Sequence, residues 1–456
     1  MRMAIDFNSA RREKAGSCRL RVTVLGATLF LLVGGARAQN PPAAQNQTAP
    51  AATNQSGAPP AARLSLDRAI ELALQHNHTL LAARTTIDQS KAEEVTANLR
   101  PNPVLNWDAQ FLPIFSPSNF SADYLNNSAQ FDLGVSYLIE RGKKRDRRFE
   151  AARDQTAVTA ATVTDNERSL IAQVAQQFIN ALLAKSNLEL SQTDLESFKN
   201  TVDISQARYD SGDISEGDLL KMKLQLLQFQ MDVSSGQLAQ VQALAGLRAL
   251  VGFESVPENY DVDGQLAYEP VKLNLDDLKA LALRSRPDYL AAQRGVTAAQ
   301  SQYTLAQADG KRDLTAAFDY SHVAATNTGS VFFNIELPIF ARNQGEIART
   351  GFARTQAQET QSAASETVLT DVTNAYENLR VADQVLDLYN SGYLQQAQDS
   401  LNISQYAYQR GAASLLDYLD AERSYRAAQL SYRQALATHM QGLEQLRQAL
   451  GTRSLP

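Results

Sequence analysis

Four histidines, one cysteine and a few repeated Ser and Asp positions are what this chain offers for chemistry. His76 and His78 form a His-x-His pair, a pattern that can chelate a metal. Residues two apart on a helix point to different faces, however, so the pair reads as surface side chains. His322 and His439 stand alone in the sequence. No Ser-His-Asp order, phosphate-cradling glycine loop or cluster of metal ligands is present. No catalytic, cofactor-binding or metal-ligating residue is therefore assigned, and the chain reads as a non-enzyme. The basic run "RGKKRDRR" (141 to 148) could bind phosphate, but it lies where a strand gives way to a helix. That position points to lipid headgroups or the protein wall rather than nucleic acid.

What remains is a short phrase written twice, "ISQARYDSGDISEGDLL" at 204 to 220 and "ISQYAYQRGAASLLDYL" at 403 to 419. Each copy carries Tyr-x-x-Gly-x-x-Ser-x-x-Asp, as Tyr209, Gly212, Ser215 and Asp218, then Tyr408, Gly411, Ser414 and Asp417. Each glycine follows a long helix-forming run, where a left-handed residue is the commonest stop. Each Ser-x-x-Asp predicts a capping box that starts the next helix. Both copies read as the tight turn of a helical hairpin. Asp420 follows Asp417 by three residues and shares its helical face.

The elements around these turns also repeat. "LSLDRAIELALQHNHTLLAA" (64 to 83) aligns without gaps on "LNLDDLKALALRSRPDYLAA" (273 to 292). Two halves, 64 to 252 and 273 to 451, joined by 253 to 272 and followed by a tail at 452 to 456, each run helix, strand, strand, long helix, turn, helix. Residues 143 to 209 and 343 to 409 contain no proline and favour unbroken helices. At 1.5 Å per residue each would reach roughly 100 Å. Helices near 66 to 99, 216 to 250, 275 to 308 and 415 to 450 are about half as long, so two stacked end to end match one long one.

Four segments have period two instead. Leu105, Trp107, Ala109 and Phe111 alternate with Asn106, Asp108 and Gln110, and Phe131, Leu133, Val135 and Tyr137 alternate with polar residues or glycine. In the second half Leu314, Ala316, Phe318 and Tyr320 form one apolar row, and Val331, Phe333, Ile335 and Leu337 another. Strands with one apolar side beside very long helices fit a barrel whose outer face meets lipid. Four strands cannot close in a bilayer, so copies must share the barrel, two giving eight strands and three twelve. The fold class is mainly α with a small β part, a long α-helical barrel of coiled-coil hairpins continuing into a transmembrane β-barrel.

Export is written at the N-terminus. Arg11, Arg12, Lys14, Arg19 and Arg21 precede the apolar run 22 to 35, and Ala36-Arg37-Ala38 offers a cleavage site, so 1 to 38 read as a signal peptide. Cys18 would leave with it. The same cut removes seven Lys/Arg and two acids and moves the formal net charge from −6 to −11, which argues against nucleic-acid binding. Residues 39 to 62, rich in Pro, Ala, Gln and Asn, read as a disordered tether.

This layout resembles the TolC family of trimeric outer-membrane efflux channels over about 64 to 451. Ile139-Glu140-Arg141-Gly142-Lys143-Lys144-Arg145 and "PIFARNQG" (338 to 345) further resemble the branch serving heavy-metal pumps of the cobalt-zinc-cadmium type, with Ala341 in place of that branch's acid. The resemblance implies four strands per chain in a barrel shared by a homotrimer in the outer membrane of a Gram-negative-type bacterium. Leu105, Trp107, Phe111, Phe131, Leu133, Val135, Phe318, Tyr320, Phe333, Ile335 and Leu337 would then face outer-membrane lipid. It also implies that Tyr209, Gly212, Ser215, Asp218, Tyr408, Gly411 and Ser414 form tips docked by a periplasmic adaptor (membrane fusion) protein. That adaptor would link to an inner-membrane pump of the resistance-nodulation-division type. Asp417 and Asp420 would be the periplasmic gate, their carboxyl pKa values raised by mutual repulsion around the axis. The alternative is a soluble periplasmic coiled-coil scaffold or adaptor whose strands form a small sheet. Metal cations and organic compounds both remain open as cargo.

Overall fold

The computed structural model describes residues 62 to 455. The expected signal peptide and all but the last residue of the expected tether lie outside them. Ala62, counted into that tether, opens β1 (Ala62–Leu64), which pairs in parallel with β4 (Tyr260–Val262). This two-stranded ladder pins the start of the described chain to the segment joining the halves.

The first half runs α1 (Leu66–His76), α2 (His78–Ala97), β2 (Val104–Gln110), the six-residue α3 (Ala122–Asn127), β3 (Gln130–Ile139), α4 (Lys144–Asp210) and α5 (Glu216–Val251). The second runs α6 (Leu275–Ser285), α7 (Pro287–Asp309), β5 (Leu314–Val323), β6 (Thr326–Ile335), α8 (Gln344–Leu388), α9 (Leu394–Gln409) and α10 (Leu415–Leu450). The order of elements repeats as expected, but three helices are broken. The helix foreseen over 66 to 99 divides at Asn77, whose side chain accepts from Leu80 N at 3.0 Å and donates to Leu250 O at 2.9 Å. One amide thus caps α2 and ties the break to the end of α5. The helix foreseen over 275 to 308 divides at Arg286 (φ −70°, ψ 119°), where Pro287 drives its predecessor out of helical conformation.

The third break separates the two long helices. α4 is continuous for 67 residues. Its counterpart stops at Leu388, passes through a wide π turn over Tyr389–Tyr393 with Gly392 at φ 116°, and resumes as α9. That φ is open to glycine and costly for other residues.

The four long strands form one antiparallel sheet in the order β2-β3-β5-β6. Its register lines up Trp107, Leu133 and Tyr320, then Leu105, Val135, Phe318 and Val331, and then Ala316 with Phe333 and Leu314 with Ile335. Paired residues share a face, so the apolar rows merge into one continuous apolar face. The opposite face carries Asn106, Asp108, Asp132, Ser136, Thr315, Asp319, Ser321, Thr328 and Asn334. Trp107 is 70% exposed and Phe333 68% exposed. Phe111 and Leu337 lie just past the ends of β2 and β6, and Phe111 takes φ 54°, which removes it from the regular alternation.

Burial concentrates among the helices. Ile70, Val174, Phe178, Leu247, Val251 and Val262 form one core, and Leu278, Val368, Val372, Leu379, Leu446 and Leu450 form its counterpart in the second half. A third core of Phe198, Val202, Met222, Phe229, Tyr408, Leu415 and Tyr418 joins α4, α5, α9 and α10 near the two turns. Among the described residues no helix is long and apolar enough to cross a membrane.

Gly451 closes α10 with φ 73°, and an added Cβ would stand 2.9 Å from the Arg286 Cα and 3.0 Å from the Ser285 carbonyl oxygen. Both obstacles are backbone, and Ser285 Oγ already donates to Leu450 O at 2.5 Å. Gly451→Ala should therefore destabilise the helical part by about 2 kcal/mol, combining left-handed strain with a steric clash. A thermal melt of the detergent-solubilised protein would show it as a Tm several degrees lower; an unchanged Tm would contradict this account of the joint.

Candidate functional site

The two repeated turns lie side by side. Gly212 (φ 83°) and Gly411 (φ 73°) are both left-handed. In the first turn Gly212 N donates to Tyr209 O at 2.9 Å and Asp213 N to Arg208 O at 2.8 Å. In the second, Gly411 N donates to Tyr408 O at 3.0 Å and Ala412 N to Ala407 O at 2.8 Å. This paired pattern is a Schellman closure in each copy. No neighbour stands within 4 Å of an added Cβ at either glycine, so conformation rather than space demands glycine here.

The helix starts that follow are unequal. Ser414 and Asp417 make the full expected box: Asp417 N donates to Ser414 Oγ at 3.2 Å, and Ser414 N donates to Asp417 Oδ2 at 3.1 Å. At Ser215 only half of it forms. Asp218 N donates to Ser215 Oγ at 3.1 Å and Ser215 Oγ donates to Asp218 Oδ2 at 2.9 Å, while Lys221 Nζ takes the other carboxylate oxygen at 3.3 Å. The residue in register with Lys221 in the second copy is Asp420, which offers no such competition.

The tyrosines diverge too. Tyr209 is 37% exposed, whereas Tyr408 is 7% exposed and stacks on Tyr418 at 5.6 Å. Tyr408 was expected at a docking tip; the structure makes it core. Arg208 lies over the Tyr408 ring at 5.4 Å and donates to its carbonyl at 3.4 Å, so the first turn seals the second.

Repulsion between carboxylates of neighbouring copies belongs to the assembled trimer; within the single chain a different interaction acts on Asp417. Hydrogen bonds from the Ser414 hydroxyl and backbone hold the Asp417 carboxyl below its ordinary value. It is the capping acid, and its Oδ2 accepts from both the Ser414 backbone N–H and the Ser414 hydroxyl. Asp420 is exposed and lies 3.3 Å from Arg423. The two acids share a face of α10, but each is occupied by its own partner.

Other charges were not legible. Arg426 of α10 reaches Asp194 of α4 at 3.4 Å and Asp232 of α5 at 2.6 Å. His439, isolated in sequence, is buried with Nδ1 2.7 Å from Asp383 Oδ1 and its ring edge-on to Tyr268 at 4.9 Å. These contacts span dozens to hundreds of residues along the chain, so no local pattern announces them. The basic run is partly internal. Lys144 bonds Asp313 at 2.8 Å and Arg148 bonds Glu140 at 2.7 Å, fastening the start of α4 to the base of the sheet. His76 and His78 flank the Asn77 break and make no metal cluster; among the described residues no group of three or more potential ligands assembles.

Comparison with known proteins adds to this geometry. The family model described as "Outer membrane efflux protein" matches residues 69–253 and 278–452, once in each half. The chain is similar to the cobalt-zinc-cadmium resistance protein CzcC of Cupriavidus metallidurans, 23% identical, covering 86% of this chain and 91% of that protein. It is equally similar to the pyoverdine export outer membrane protein OpmQ of Pseudomonas putida, 23% identical over 85% of each chain. Among solved structures it resembles CusC, with TM-score 0.70 and 20% identity over 85% of this chain and 92% of the other. It also resembles VceC from Vibrio cholerae, with TM-score 0.68 and 21% identity over 85% and 96%.

Gly411→Ala should cost about 1–2 kcal/mol at the turn, since only the left-handed conformation is penalised. Hydrogen exchange should quicken over the turn from α9 to α10, whereas Gly345→Ala, in open space within α8, should leave that turn unchanged. The lowered Asp417 pKa gives a pH sign. Its stabilisation is present above the ordinary carboxylate value of 3.8 and is lost as pH falls through the still lower folded value. Protection of the α10 N-terminus should thus persist at mildly acid pH and disappear only in strong acid, and loss near pH 6 would contradict it.

Proposed function

Because this chain belongs to the outer membrane efflux protein family through both of its halves, it is the outer-membrane channel component of an efflux pump, and we propose that it works as a homotrimeric passive duct. The observation that carries the reading is the sheet: four strands, one continuous exposed apolar face, one polar face, and unpaired edges at β2 and β6. Backbone groups at a free edge cannot be left unsatisfied in lipid. The strands alternate in direction along the order β2-β3-β5-β6, so β6 of one copy meets β2 of the next antiparallel. Head-to-tail closure by three copies gives a twelve-stranded barrel with the apolar rows outward and Asp108, Asp132 and Asp319 toward the lumen.

Leu105, Trp107, Phe131, Leu133, Val135, Phe318, Tyr320, Phe333 and Ile335 are then the lipid-facing residues, with Phe111 and Leu337 at the two rims. The turns around Gly212 and Gly411 are the tips on which an adaptor protein docks, and Asp417 and Asp420 line the narrow periplasmic end. Tyr209, Ser215, Asp218 and Ser414 remain in the docking set; buried Tyr408 acts there only by supporting the turn. The inner-membrane partner is a pump of the resistance-nodulation-division type. The relatives' names cover cobalt, zinc and cadmium resistance and pyoverdine export, so cargo follows the pump rather than the duct. A soluble scaffold has no use for an apolar sheet face of this extent, and the family assignment gives it no support.

Leu133→Arg, on the apolar face, should cost about 2–4 kcal/mol near the bilayer midplane and remove the protein from the outer-membrane fraction. Thr328→Arg, on the polar face, should insert normally. Light scattering on the detergent-extracted protein, corrected for bound detergent, should give three chains per particle. Normal insertion of Leu133→Arg, or a monomer needing no detergent, would overturn the reading.

A further inference from the structure

At the end of the sheet away from the long helices, residues 111 to 129 join β2 to β3, and beyond Phe111 the duct leaves their role open. The segment carries Phe111, Ile114, Phe115 and Phe120, all more than half exposed, with Phe115 at 99%. Large apolar side chains gathered in water oppose the hydrophobic effect, and such a patch marks a surface that meets something apolar. The stretch from Pro101 to Glu140 contains no Lys, Arg or His, so it has no cation with which to hold phosphate. Several of its backbone donors are satisfied within the segment. Ile114 N donates to Leu112 O at 2.8 Å, Ser116 N to Pro113 O at 3.1 Å and Phe120 N to Pro117 O at 3.1 Å. Pro113 and Pro117 bring no N–H to desolvate.

Hydrogen bonds fix the side of the sheet on which this segment lies. Tyr320, His322 and Asn327 belong to the apolar row, since Leu133 pairs with Tyr320, Phe131 with His322 and His322 with Asn327. Tyr320 Oη donates to Asn327 Oδ1 at 2.8 Å, and His322 Nδ1 lies 2.7 Å from the same oxygen. His322 Nε2 lies 3.2 Å from the carbonyl oxygen of Asn126, in the last turn of α3, and Ala325 N donates to that oxygen at 2.8 Å. The segment is thereby fastened to the β5–β6 hairpin from its apolar side. The lumen side of the same rim is polar: Gln110 Nε2 donates to Asp108 Oδ2 at 2.7 Å, and Gln130 Nε2 to Asp132 Oδ2 at 2.7 Å.

We propose that residues 111 to 127 form a lipid anchor, in which Phe111, Ile114, Phe115 and Phe120 enter the acyl-chain boundary of the leaflet around this rim. The occupant follows from continuity and charge. The segment leaves the end of the outward row and is fastened to the outward face, and its lack of cations suits acyl chains rather than headgroup phosphate. Aromatic side chains supply large apolar area, while Ser116, Ser118 and Asn119 among them stay at headgroup level. Three copies set three such anchors around the mouth, outside it and clear of the lumen. The inference rests on the preceding reading in one respect, that the apolar face of the sheet meets lipid.

The test uses the full mature chain reconstituted into phosphatidylcholine vesicles, with the same lipid brominated on the upper part of its acyl chains as the quencher. Trp107 is the sole tryptophan and sits in the apolar row, so the unaltered protein reports on the sheet. Phe115→Trp and Phe120→Trp, each in the Trp107→Phe background, report on the segment, and either one suffices if the other fails to fold. Each introduced indole should lose at least about half of its emission to the brominated lipid and stay shielded from acrylamide. Quenching by acrylamide alone would place the segment in water or over the mouth, and shielding from both quenchers would bury it against a neighbouring copy; either result overturns the anchor. Phe115→Ser with Phe120→Ser should leave planar-bilayer conductance unchanged, whereas a clear rise would mark the segment as a lid and overturn the anchor as well. Lipid quenching of Trp107 without quenching of the segment removes only the anchor. Quenching of the segment without quenching of Trp107 removes only the lipid-facing sheet.

Discussion

Everything in this chain follows from the backbone polarity of four strands. An antiparallel sheet in hydrocarbon must pair every N–H and C=O, and a single chain that contributes β2, β3, β5 and β6 leaves two edges open. Closing those edges with further copies fixes a symmetry axis along the barrel, and the axis then governs the helices. They must run on from the strands as a ring rather than fold back into a globule. This is why α4 extends over 67 residues and why burial is divided among three separate clusters along the helices. The strand-to-helix joints serve the same end, with Lys143 (φ 61°) and Asn343 (φ 61°) in matching left-handed positions just before α4 and α8.

Duplication supplied the elements, and divergence gave the two hairpins different properties. With the 199-residue offset between the repeated phrases, Gly392 corresponds to Thr193, an ordinary helical residue whose hydroxyl bonds the Glu189 carbonyl at 2.9 Å. Arg426 corresponds to exposed Leu227, Glu422 to Lys223 and Asp420 to Lys221. The first hairpin therefore has an unbroken long helix, and its cross-bridging arginine is Arg208 near the turn rather than a counterpart of Arg426. The second carries the bend, the acids and the guanidinium.

Most of the architecture was legible because it is written in periodicity. Period two marked all four sheet strands, and the absence of proline marked α4 almost to the residue. Gly212 and Gly411 marked the turns, because a helix stop that needs a left-handed residue has few other solutions. The break at Arg286 was present in the sequence as Pro287, yet the apolar pattern on both sides is continuous and hides it. The break at Asn77 carries no proline; it depends on an amide reaching Leu250, 173 residues away. The unequal capping of Ser215 and Ser414 was partly visible as Lys221 against Asp420. The burial of Tyr408 was not, since its partners Arg208 and Tyr418 come from different elements and the repeated phrase treats Tyr209 and Tyr408 alike.

Charge is arranged differently at the two ends of the duct. A wall built from one layer of helices has little interior, so long-range polar contacts there are few and each couples whole hairpins. At the membrane end such contacts join neighbouring segments in well-satisfied pairs, as Lys144 with Asp313 and Arg148 with Glu140 do, and breaking one would strand a charge. Around Arg426 the balance is different: Asp194, Asp232 and half-buried Glu422 gather beside it, its Nε finds no hydrogen-bond geometry, the Phe229 ring covers its guanidinium, and Arg433 and Arg423 also act on the acids. A fully satisfied buried network rigidifies its surroundings, whereas an unpaired member of one costs stability. Paired charges near the strands and an acid-rich cluster above the tips thus set the two ends apart, although both halves carry the same repeat.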